Sequence, residues 1–160
     1  MIRSATPADA AAICLIYNYY VLNTTISFEE EAVEPAVMAE RIAANRWPWL
    51  VLEVDGVVLA YAYATQWRTR PAYRHAVESS VYVAIDAAGR GLGRRVYQAL
   101  LEQLAGLDLH CVIGGIAQPN LASVALHQAL GFRRVASFEE VGWKQQRWID
   151  VEYWQLKLVR

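Results

Sequence analysis

Seven consecutive residues, Gly89-Arg90-Gly91-Leu92-Gly93-Arg94-Arg95, have the types and spacing that hold a phosphate. Glycines adopt the backbone angles of a tight turn and let an anion approach the main chain. When such a turn opens a helix, several N–H groups point at one spot and the helix dipole adds positive potential there. Arg90, Arg94 and Arg95 add three cations in a chain whose formal net charge is −1. The chemistry expected is binding of a pyrophosphate or polyphosphate. No Lys-Ser or Lys-Thr closes the turn, which excludes the phosphate loop of nucleotide hydrolases. A dinucleotide fingerprint is a poor fit, because the turn comes late and no βαβ half-domain precedes it. The plain alternative is a glycine-rich connection with solvated arginines.

The flanking sequence supplies the elements that position this turn. Val77 to Ile85 reads as a strand running into it, and Leu92 to Leu104 as the helix leaving it, with Val96, Leu100 and Leu104 on one face. Upstream, Met1 to Ala5 reads as a short edge strand. Thr6-Pro7-Ala8-Asp9 opens a helix that turns Ile13, Ile16, Tyr17 and Tyr20 inward. A polar loop, 23–31, precedes a second helix from Pro35, with Met38 and Ile42 inward. Trp49 to Val54 and Val57 to Gln66 form a hairpin around Asp55-Gly56. Downstream come a strand at Leu109 to Ile116, a helix at Asn120 to Leu130 stopped by Gly131, and two strands near Arg133 to Trp143 and Gln145 to Lys157. This order predicts an α/β (α+β) fold with a mixed, mostly antiparallel central sheet flanked by helices. No linker or repeat interrupts it, so residues 1–160 are expected to form one domain.

With 56% hydrophobic and 19% charged residues, the 160-residue chain can bury a core. Near-neutral charge argues against nucleic-acid binding. The N-terminal segment carries both charge signs and no signal-like apolar stretch, and no apolar run spans a bilayer. A cytoplasmic protein without membrane contact is expected. Cys14 and Cys111 match no metal or redox spacing and read as core residues, and no metal site is expected.

The strand Ser80-Val81-Tyr82-Val83, the turn Arg90-Gly91-Leu92-Gly93, and Asn120-Leu121-Ala122-Ser123 followed by Leu130-Gly131-Phe132 resemble the GNAT superfamily of N-acetyltransferases. The family turn, Gln/Arg-x-x-Gly-x-Gly/Ala, falls on Ala88 to Gly93. Ala88 departs from its first position, whereas Gly91 and Gly93 match. Arg70-Pro71-Ala72-Tyr73, Val77-Glu78-Ser79-Ser80, the helix carrying His127, and Trp148-x-Asp150-Val151-x-x-Trp154 are similar to the phosphinothricin and methionine sulfoximine acetyltransferases, over nearly the whole chain.

The resemblance implies acetyl-CoA as co-substrate and an amino-acid analogue such as phosphinothricin, methionine sulfoximine or methionine sulfone as acceptor. Arg90, Gly91, Leu92, Gly93 and Arg94 would take the pyrophosphate. Val81, Tyr82 and Val83, on a splayed strand, would take the pantetheine arm, with Asn120 and Ser123 beside it. Glu78 is the only carboxylate between Ala60 and Ile85 and is the first choice for general base; a strand-end ion pair is its bland reading. His127 is the second catalytic candidate, and a structural helix histidine is the alternative. His75 and His110 read as surface or packing residues. Arg70 and Tyr73 would bind the substrate's acidic group, with Phe28 and Ser80 in the same pocket. The resembling branch implies a homodimer, to which the C-terminal tryptophans Trp143, Trp148 and Trp154 would contribute as packing or interface residues. A transferase for protein N-termini or polyamines, or a non-catalytic acyl-CoA sensor, remain the alternatives.

Overall fold

In a computed structural model, residues 1–159 are described, and the expected domain end at 160 lies outside them. The chain begins with β1 (Ile2–Ser4), passes a 3₁₀ turn at Pro7–Asp9, and continues through α1 (Ala10–Asn23) and α2 (Pro35–Ala44). β2 (Trp49–Val54), β3 (Val57–Gln66) and β4 (Ala76–Val83) follow, then α3 (Leu92–Ala105), β5 (Cys111–Ala117), α4 (Leu121–Ala129), β6 (Arg133–Lys144) and β7 (Arg147–Lys157). Local chemistry sets these boundaries. Asp55 and Gly56 both have positive φ, 50° and 79°, which suits the two-residue turn between β2 and β3. Gly131, at φ 91°, ends α4, and the Phe132 N–H returns to the His127 carbonyl at 3.0 Å.

The strands form one seven-stranded sheet in the order β1-β2-β3-β4-β5-β7-β6. Five of its six pairings are antiparallel, and β4 with β5 is parallel. This is the mixed, mostly antiparallel sheet expected from the order of elements.

Alternation along the strands gives the sheet two unlike faces. On one, Ala60, Ala62 and Ala64 leave room for Val96, Tyr97, Leu100 and Leu104 of α3, and Trp154 and Phe132 extend the same core toward α4. On the other, Trp49, Val51 and Tyr61 meet Ile13, Tyr17, Met38 and Ile42 of α1 and α2. Trp154 is therefore a core residue, at 5% exposure, and stands apart from Trp143 and Trp148, which are 54% and 60% exposed and pack on each other at 4.6 Å between ring centroids. Cys14 and Cys111 are both buried and free. Among the described residues no helix is long and apolar enough to cross a membrane.

Leu100 is fully buried, whereas Leu121 on α4 is 84% exposed. Leu100→Ala is expected to cost about 2–5 kcal/mol of stability and Leu121→Ala less than about 0.5 kcal/mol, measured by urea unfolding. Equal losses would contradict the placement of this core.

Candidate active site

The parallel pairing of β4 and β5 covers Ala76↔Cys111, Val77↔Val112 and Glu78↔Ile113 and stops there. β4 stays paired with β3 as far as Val83, and β5 with β7 as far as Ala117. Each strand is thus held on its outer side while the inner edges part, which leaves main-chain groups of Ser79–Val83 and Gly114–Ala117 without partners across the gap. A narrow slot of about 50 Å³ follows the opening, with Ser79, Val81, Tyr82, Ile116, Asn120 and Ser123 among its walls.

The turn from β4 to α3 lies on the α3/α4 face. Gly89 and Gly91 have φ of 78° and 75°, the left-handed region that glycine alone enters freely. Gly91 is the N-cap of α3 and provides no side-chain cap, so the first-turn N–H groups of Leu92, Gly93 and Arg94 are left for an outside acceptor. Arg90, Arg94 and Arg95 are exposed around it. A Cβ on Gly93 would sit 3.1 Å from Val83 Cγ2, so this glycine seats the helix start against the end of β4. Across the slot, the Asn120 side chain accepts the Ser123 N–H at 3.1 Å and caps α4. Asn120 is therefore a cap and a slot wall at once.

His127 is buried on this same face, 4% exposed. Its Nδ1 lies 2.7 Å from the Ser123 carbonyl, and its Nε2 lies 3.1 Å from the Tyr97 hydroxyl. Tyr97 Oη in turn meets Ser79 Oγ at 2.6 Å. Burial holds the His127 pKa below its ordinary value, against the opposing pull of the Ser123 carbonyl. A Cβ on Gly114 would fall 2.7 Å from Nε2, so β5 presses its backbone against the imidazole.

Glu78 belongs to the opposite face. Its register partner is Thr65, while Tyr63 pairs with Ser80 and Tyr61 with Tyr82, and these side chains share the α1/α2 side. Oε1 of Glu78 and the Tyr153 ring both border Gly115, where a Cβ would be 3.5 Å and 3.2 Å from them. Burial raises the Glu78 pKa, and nearby Arg68 partly offsets the rise. A cavity of about 420 Å³ adjoins, lined by Arg68, Trp67, Ile113, Phe138, Tyr153 and Gln155, among others. Arg68 also lies over the Trp67 ring at 4.4 Å.

The expected residues are thus distributed over two sides of the opening. Val81, Tyr82 and Val83 supply its β4 edge, although the Tyr82 ring itself turns into an aromatic cluster with Tyr17, Tyr20 and Tyr61. Phe28 packs on Gly142 of β6, where a Cβ would be 2.6 Å from its ring, and Lys144 Nζ ties the same loop down through the Ser27 carbonyl at 2.5 Å. Arg70 and Tyr73 are exposed at the 3₁₀ turn Pro71–Tyr73. The cation that acts on Glu78 is Arg68, which the sequence did not single out. Its signal was slight: an arginine next to a tryptophan just after β3. Tyr97 was missed too, although a tyrosine inside the apolar stripe of α3 needs a partner for its hydroxyl.

Residues 2–153 match the family profile described as an acetyltransferase (GNAT) domain. The chain is 40% identical to a phosphinothricin N-acetyltransferase of Streptomyces viridochromogenes, over 96% of this chain and 85% of that protein. It is 38% identical to an L-methionine sulfoximine/L-methionine sulfone acetyltransferase of Salmonella typhimurium, over 98% and 94%. The crystal structure of a GNAT superfamily phosphinothricin acetyltransferase from Sinorhizobium meliloti, in complex with acetyl-CoA, superposes with a TM-score of 0.94 at 36% identity, covering 99% of this chain and 88% of that one. With the fold and these relatives together, the chain belongs to the GNAT acetyltransferase family and is an N-acetyltransferase.

Proposed function

We propose that this protein moves an acetyl group from acetyl-CoA to the amino group of a small amino-acid analogue such as phosphinothricin, methionine sulfoximine or methionine sulfone. One observation carries the reading: a half-buried carboxylate, Glu78, stands where β4 and β5 part, and an uncapped helix start ringed by arginines lies on the other face of the same opening. The relatives named above act on these analogues. The residues fit the donor. Free N–H groups with Arg90 and Arg94 suit a pyrophosphate, and unpaired strand edges suit an arm bearing amides. In this reading residues 1–160 work as one acetyltransferase domain.

The chain's residues then divide the chemistry. Leu92, Gly93 and Arg94 hold the pyrophosphate through their N–H groups. Val81, Tyr82 and Val83 pair with the pantetheine arm, and an N–H of β4 polarises the acetyl carbonyl. Asn120 and Ser123 line the arm's other side. On the acceptor face, Arg68 and Arg70 attract the substrate's acidic group, with Tyr73, Phe28 and Ser80 around it. Glu78 takes a proton from the ammonium, directly or through water, and the freed amine attacks the carbonyl. A new C–N bond forms and the C–S bond breaks, the attacking nitrogen gives its second proton to the departing thiolate, and CoA leaves as the free thiol on the His127 side. The exposed Trp143–Trp148 pair is the surface we assign to a homodimer, and the protein acts in the cytoplasm without nucleic acid or membrane.

A free-thiol release assay with acetyl-CoA tests the function. Methionine sulfoximine, methionine sulfone or phosphinothricin should turn over well, and spermidine and short peptides poorly. Preference for peptides or spermidine, or no turnover with CoA still bound, would overturn it.

Glu78→Gln should bind acetyl-CoA as the wild type does yet turn over about a hundredfold to ten-thousandfold more slowly at pH 7. Since burial raises the Glu78 pKa, the acid limb of kcat/KM in the wild type should lie above the ordinary 4.5. Raising the pH should partly restore the variant, because free amine then forms unaided. Wild-type turnover by Glu78→Gln at pH 7 would place the base elsewhere, with His127 next to test.

Arg68→Ala should raise KM for the amino acid by about tenfold, the worth of one charged hydrogen bond, with KM for acetyl-CoA unchanged. Arg70→Ala should have the smaller effect. If the two constants move together, or neither moves, the assignment of the acidic-group site fails.

A further inference from the structure

Strand β4 sends consecutive side chains to opposite faces, Glu78 to the acceptor side and Ser79 to the donor side. Ser79 begins a chain of three hydrogen bonds that runs through the α3/α4 side of the sheet. It runs from Ser79 Oγ to Tyr97 Oη at 2.6 Å, to His127 Nε2 at 3.1 Å, and from His127 Nδ1 to the Ser123 carbonyl at 2.7 Å. The chain links β4, α3 and α4, and His127 rests on Gly114 of β5. It therefore braces both lips of the opening at the point where their own pairing has ended.

The direction of the chain follows from its last member. A carbonyl can only accept, so Nδ1 carries the proton and Nε2 of the neutral ring is an acceptor. Tyr97 must donate to it, and the Tyr97 oxygen then accepts from Ser79. From this we infer that Tyr97 is a positioning residue for acetyl transfer: by donating to Nε2 it holds His127 in the Nδ1–H tautomer that the Ser123 carbonyl selects and keeps the ring at the wall of the slot.

The surroundings agree. Tyr97 is fully buried, and its ring and that of Phe132 both meet the imidazole edge-on, at 5.2 Å and 4.9 Å. The groups that face His127 are Tyr97 from α3, Ser79 from β4, Ser123 from its own helix and the Gly114 backbone from β5. None of them is a carboxylate or a cation. Within this group of residues Glu78 acts on the Tyr97 hydroxyl, from the far face. Burial favours the neutral imidazole, in the same sense as the Tyr97 donor.

Long-range ¹H–¹⁵N spectra of the folded protein labelled at its three histidines read the tautomer directly. The wild type should show the His127 proton on Nδ1 and a bare Nε2 at pH 7. Tyr97→Phe removes only the hydroxyl. Its loss of the donor to Nε2 should raise the His127 titration midpoint by about 0.7, the worth of one neutral hydrogen bond. In kcat, a limb set by His127, separate from the Glu78 limb of kcat/KM, should move up with it, at unchanged CoA affinity. Ser79→Ala leaves Tyr97 free to donate and should keep the wild-type tautomer. A proton on Nε2 in the wild type, an unmoved midpoint in Tyr97→Phe, or a moved midpoint with an unmoved kcat limb would each overturn the inference. If Tyr97→Phe does not fold, the wild-type spectrum decides alone. The kinetic arm rests on the acetyl-transfer reading, whereas the spectra do not, so an inactive protein with the expected tautomer would refute that reading and not this one.

Discussion

Two parallel strands that begin as partners and then part impose the constraint on which this site depends. Main-chain N–H and C=O groups buried without partners are costly, of the order of 1–3 kcal/mol each. β4 and β5 do not pair past Glu78 and Ile113, although β3 and β7 hold their outer edges in register to the strand ends. The inner edges must therefore be satisfied by something that enters the gap. Val83 is one exception, since its carbonyl accepts from the Tyr20 hydroxyl. An extended ligand with its own amides would meet the remaining need, which is why the opening suits the binding of one.

The gap also permits chemistry between two separate compartments. Alternation along β4 puts Glu78 on one side and Ser79 on the other, one residue apart. The donor side has the uncapped start of α3, the arginines, and the buried His127 network. The acceptor side has a raised-pKa carboxylate, Arg68 and aromatic walls. A base placed on the donor side would be desolvated beside the thioester and far from the ammonium it must deprotonate. His127 is placed that way, with both ring nitrogens already engaged. The same geometry suits Glu78 to the amine and leaves His127 as a wall on the side of the departing sulfur.

Much of this was legible in the residues. The Asp55-Gly56 turn, the glycines before α3 and the Gly131 stop each need a backbone conformation that few residues adopt, so they mark boundaries independently of tertiary context. What was hidden depended on contacts between distant segments. Strand parity separates residue 78 from 79, but which face α4 covers, and hence that His127 and Glu78 are divided by the sheet, is set by packing. Arg68 and Arg70 lie in a loop without periodicity, so nothing local tells which of them turns toward Glu78. Trp154 was grouped with Trp143 and Trp148. Register shifts in β6, between Arg134 and Ala136 and between Phe138 and Gly142, change the alignment of the hairpin along its length, and Trp154 ends opposite Gly114 in the core while the other two pair at the tip.

In the proposed reaction donor and acceptor meet through the β4–β5 opening from opposite faces. A crystal structure of the protein with CoA and a methionine sulfone acceptor tests it most directly. The sulfur is expected between the strands on the Ser79 and His127 side, and the amine within about 2.6–3.2 Å of Glu78, or one water away, on the other. Both ligands on one face of the sheet, or CoA bound away from the opening, would contradict it.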